Sequence, residues 1–77
     1  STDEAYLEWK LALAAEPMVK AAEEAEKLNQ NIINADWTKE NVDKLRQQYE
    51  NAVDSWTNEC TKWYDIYLDE MYPESDF

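Results

Sequence analysis

Apolar positions along the chain fall into two long stripes. Leu7, Leu11, Ala14, Met18, Ala21, Ala25, Leu28 and Ile32 recur in alternating steps of four and three. A repeat of about 3.5 residues is the pattern of a helix lying along a partner helix. Ser1 and Glu4 stand in capping-box spacing, so this first helix is predicted to begin near residue 2 and to run to about residue 33. Pro17 lies inside it, where a proline removes one backbone hydrogen bond and crowds the carbonyl of Leu13. Because the stripe keeps its phase across Pro17, the pattern predicts one helix kinked there rather than two.

A second stripe follows the same steps through Val42, Leu45, Tyr49, Ala52, Trp56, Cys60, Trp63, Tyr67 and Met71. Between the stripes, residues 29–38 hold three Asn and an Asp, side chains that bond their own backbone and release the chain from a helix. The reading is a turn over about 34–38, with Asp36 or Thr38 capping a helix over about 39–72. Pro73 then stops the helix, and residues 73–77 form a short acidic tail. The expected fold is therefore all-α, an antiparallel hairpin of two long helices in a single domain. Asp54-Ser55-Trp56-Thr57-Asn58 contains weak helix formers, and a break there gives the alternative, a three-helix bundle.

Composition strengthens the helical reading and complicates the question of stability. The 77 residues include no glycine and two prolines, which leaves all-β folds without the residues their turns require. Leu, Ile, Val and Phe together number 13, and the formal net charge is −11, a pair of values that ordinarily accompanies disorder. Four Trp and five Tyr stand against that, since each can bury a large apolar area. Two helices alone cover only one stripe each, so self-association into a homodimeric four-helix bundle is expected to complete the packing.

Charge is unevenly placed. Residues 17–47 are nearly neutral at −1, residues 1–16 carry −3, and residues 48–77 carry −7. An antiparallel hairpin sets the two acidic segments side by side at the end away from the turn. Tyr6, Trp9, Trp56, Trp63, Tyr64, Tyr67, Tyr72 and Phe77 gather in the same segments. Trp9, Tyr64 and Tyr72 fall off the stripes and are expected at the surface. Exposed aromatics among acids have the composition of a protein-binding patch. The candidate partner-binding residues are Glu4, Glu8, Trp9, Glu50, Asp54, Tyr64, Asp65, Asp69, Glu70 and Tyr72. The plainer reading of the same acids is a solvated surface that keeps a small protein soluble.

Chemistry for catalysis is sparse. The chain has no histidine, the commonest general base and metal ligand. It has no glycine-rich phosphate loop and no basic patch, and its net charge opposes direct binding to nucleic acid. No enzyme, cofactor or metal site is expected. No apolar run reaches the ~18 residues of a membrane span. The single cysteine, Cys60, fits a reducing, cytoplasmic setting, with a lipid-anchored extracytoplasmic module as the alternative. A start at Ser1 fits removal of an initiator methionine or a processed end.

Acids at i and i+4, such as Glu4/Glu8, Glu50/Asp54 and Asp65/Asp69, stand about 6 Å apart along a helix axis. Phosphates on one nucleic-acid strand are spaced on that scale, with about 3.4 Å of axial rise per nucleotide. A rigid helix edged in this way suits a basic groove built for a nucleic-acid backbone. In composition, size and charge the chain is similar to the small acidic helical proteins with which phages imitate DNA and counter host defences. That resemblance implies a basic, nucleic-acid-binding protein as partner. The last residues, acids ending in Phe77, look like the tip of bacterial single-stranded-DNA-binding proteins, which docks into basic, apolar-floored pockets. The competing expectation is a scaffolding bundle, such as a virion component or assembly adaptor, whose acidity serves only solubility.

Overall fold

The computed structural model describes residues 2–73, and the tail tip ending in Phe77 lies outside them. Three helices appear in order: α1 (Thr2–Ala14), α2 (Glu16–Ile33) and α3 (Val42–Met71). There is no strand among the described residues.

α1 and α2 form one bent arm. Ala15 links them with helical torsions, φ −79° and ψ −13°. Its N–H bonds the Leu11 carbonyl at 3.0 Å, and its own carbonyl accepts from Val19 N at 3.0 Å. Pro17 therefore sits in the first turn of α2, where a missing N–H costs least. The kink expected at Pro17 takes this form, a bend centred on Ala15 and Glu16.

The connection back to α3 is made without any residue at positive φ. Asn34 ends α2 with φ −90° and ψ −1°, still in the right-handed region. The exposed indole of Trp37 donates to the Ile32 carbonyl at 3.2 Å, which also accepts from Ala35 N at 3.2 Å. Asp36 organises the next turn, its carboxylate accepting from Thr38 N at 3.0 Å and Thr38 Oγ1 at 2.6 Å. α3 begins three residues later than its sequence suggests. Its cap is Asn41, whose Oδ1 accepts from Lys44 N at 3.1 Å, rather than Asp36 or Thr38. Those two residues are already engaged with each other in the turn.

The two bonds from Thr38 hold the Asp36 carboxyl below its ordinary value of 3.8. A group with a depressed folded pKa adds stability above its unfolded value, and that stability is lost as pH falls through the folded one. The turn should thus loosen only below pH 3.8. In an NMR titration the Thr38 amide shift should show its midpoint on the acid side of that value; a midpoint above it would contradict the hydrogen-bonded geometry.

α3 is continuous through Asp54–Asn58, so the three-helix alternative with a break there is not what forms. Thr57 Oγ1 bonds the Val53 carbonyl at 2.9 Å and Thr61 Oγ1 bonds the Thr57 carbonyl at 3.1 Å. This back-bonding satisfies the hydroxyls inside the helix.

The arms run antiparallel. Lys10 pairs with Glu70, Trp63 Nε1 donates to the Leu11 carbonyl at 3.0 Å, and Pro17 to Glu24 share a groove with Ala52 to Glu59. The molecule measures 62 × 26 × 11 Å, a layer one helix thick. Ala25 alone is buried among the described residues. Every other stripe position of the first arm is half-buried, as are most of those on α3. Trp56 and Met71 are the departures, exposed by 40% and 42%. One facing helix cannot cover an indole from both sides, and Met71 is the last residue of α3.

Candidate protein-interaction surface

The candidate residues separate into groups once each helix is turned by about 100° per residue and the half-buried positions are set against the partner arm. Glu50, Asp54, Asp65 and Asp69 are all exposed and fall on the side of α3 turned away from the first arm. They form a ridge of two i, i+4 pairs about 6 Å long each, the ridge spanning about 28 Å of helix. Tyr72, 73% exposed, lies at its end. Asn58 and Thr61 interrupt it, so the ridge is acidic at both ends and polar between them.

Trp9 sits on the outer side of α1, in a second stripe with Tyr6 and Leu13. These three are 60%, 54% and 49% exposed, and the Tyr6 and Trp9 ring centroids are 6.0 Å apart. Glu4 and Glu8 occupy an edge of α1 at the acidic end. Tyr64, half exposed, lies on the flat side of the layer with Trp56 and Cys60 rather than on the ridge. It also leans towards Tyr67, with ring centroids 5.9 Å apart.

Glu70 is held differently from the other candidates. It turns inward and is half-buried against Lys10. That hydrogen bond and charge hold the Lys10 ammonium above its ordinary value of 10.5, against the opposing effect of desolvation. A raised ammonium pKa means the stability it contributes is fully present below 10.5 and is lost only in stronger alkali. The pair is thus a fixed strap between α1 and α3 at neutral pH. Glu70 thus has an ion-pair partner within the fold that, among the described residues, the exposed ridge acids lack.

Sequence reasoning passed over the pairing of Lys10 with Glu70 and the outward stripe through Tyr6 and Leu13. The 6–9–13 spacing was the available signal for the stripe, because it runs parallel to the inward 7–11–14 set. Among the described residues no three acidic or thiol side chains converge as a metal set. No helix among them is long and apolar enough to cross a membrane. Comparison with known protein families, curated proteins and solved structures finds no match.

Proposed function

We propose that this protein is a non-enzymatic acidic interaction module that occupies a basic, nucleic-acid-binding site on another protein. The observation that carries the reading is the exposed ridge Glu50, Asp54, Asp65 and Asp69 on one face of a rigid 30-residue helix. Within each pair the carboxylates stand about 6 Å apart along the axis, close to the axial rise of two nucleotides. Tyr72, at the end of the ridge, supplies an aromatic anchor beside the acids, and interfaces favour such residues. The fold gives up stability to hold this charge together, since like charges repel in the compact state.

The test is capture from host lysate on immobilised protein, followed by elution. The reading expects a basic nucleic-acid-handling protein, displaced by excess duplex DNA and released by added salt, because the contact rests on screened charge. A captured protein that neither DNA nor salt displaces would overturn it. A second reading, a scaffolding bundle, is favoured by the single buried residue among those described and the 11 Å thickness. Scaffolding would leave the ridge acids without a role beyond solubility.

A further inference from the structure

The two broad sides of the layer differ in kind. One side carries the groove lined by Pro17, Lys20, Glu24, Ser55 and Glu59, and the Lys10–Glu70 pair. It is charged along its length. The other side presents Ala15, Ala22, Val53, Trp56, Cys60 and Tyr64 across its middle and carries no charge there. Trp56 and Tyr64 remain 40% and 50% exposed on it, and the rest are half-buried. Charge returns on either side of that middle: Glu8 at the acidic end, and Glu26, Glu50 and Arg46, the last 60% exposed, towards the turn.

We infer that this uncharged side is covered by a second copy of the chain, packed antiparallel, α3 against α3, to give a four-helix dimer. Three observations select that occupant and that direction. A layer 62 by 26 Å in outline has room for the roughly 800 Å² per partner of a stable interface. Parallel pairing would stack the two acidic ends, each bearing Glu8, Asp65 and Asp69. Antiparallel pairing instead sets each acidic end over the other copy's turn half, where residues 17–47 sum to only −1. A two-fold axis across the layer near mid-length brings Trp56 close to its own mate. It also carries Arg46 of one copy over the level of α3 that lies beside Glu8 in the other. The pairing is self-complementary, as a two-fold interface must be. It leaves the outer ridge of α3 uncovered, so it stands independently of the proposed function.

Sedimentation equilibrium of the full chain tests this. The expected mass is twice 9.1 kDa, with Trp56→Glu weakening the dimer roughly 30-fold or more. Ser55→Glu, on the charged side, should leave it intact. Far-ultraviolet circular dichroism checks that the Trp56 variant stays helical; if it does not, Tyr64→Lys replaces it. Glu8→Arg and Arg46→Glu should each weaken the dimer by about tenfold, because symmetry repeats the pair, and the double exchange should restore it. A monomer at millimolar concentration overturns the inference, and so does a dimer indifferent to both Trp56→Glu and Tyr64→Lys. A dimer that the double exchange fails to restore overturns the antiparallel arrangement.

Discussion

Trp63→Ala is expected to abolish most of the folded population at room temperature, read as loss of helical circular dichroism and of a cooperative thermal transition. Trp63 reaches from α3 to α1 and is itself braced within α3. Its indole N–H reaches the Leu11 carbonyl at 3.0 Å, and its ring stacks on Tyr67 with centroids 5.5 Å apart and planes inclined by 20°. Removing a packed Trp costs about 3 kcal/mol, and a domain this small has a total stability of only a few kcal/mol. A fold with one buried residue among those described has no second core to fall back on. Trp63→Phe keeps the stack and deletes the hydrogen bond, so it should cost only about 1 kcal/mol. If the alanine variant melted like the parent, α1 would have to be held by something other than Trp63.

Much of this architecture was legible in the sequence because one physical rule dominates it. With no glycine and few breakers, the 3.5-residue stripes determine which residues face inward. Leu7 through Ile32 lie at the half-buried or buried positions as the spacing requires. The legible part ended where local chemistry competed with that rule. Asp36 and Asn41 are both good caps, and Asp36 is engaged by Thr38, so α3 starts at Val42. Thr57 and Thr61 look like breakers by propensity, yet their hydroxyls bond the preceding turn and the helix continues.

The candidate surface was legible as composition but not as placement. Tyr64, Asp65, Asp69 and Glu70 are near neighbours in sequence, yet the helix distributes them around its circumference. Tyr64 goes to the flat apolar side, Asp65 and Asp69 to the outer ridge, and Glu70 inward to Lys10. Which acids remain available to a partner depends on where the first arm packs, and the charge pattern does not carry that information. Glu50 and Asp54, expected at the acidic end, lie instead at the level of α2, and join the ridge for the same reason.

The second large effect concerns that ridge. Asp54→Asn, Asp65→Asn and Asp69→Asn together remove three carboxylates from an exposed face while keeping the size of each side chain. The fold should persist, and its thermal midpoint at low salt should rise as repulsion is relieved. Binding to a basic partner should fall by about 100-fold, since neutralising a contact to a charged site removes roughly 1 kcal/mol each and slows electrostatic encounter. A solubility role predicts instead that binding stays constant while the variant precipitates more readily.

The most direct measurement is therefore the affinity of parent and triple variant, side by side, for the basic protein the parent captures, taken at two salt concentrations. The account predicts a parent whose affinity drops steeply with salt and a variant that binds weakly at both. Equal affinities for the two proteins would contradict it.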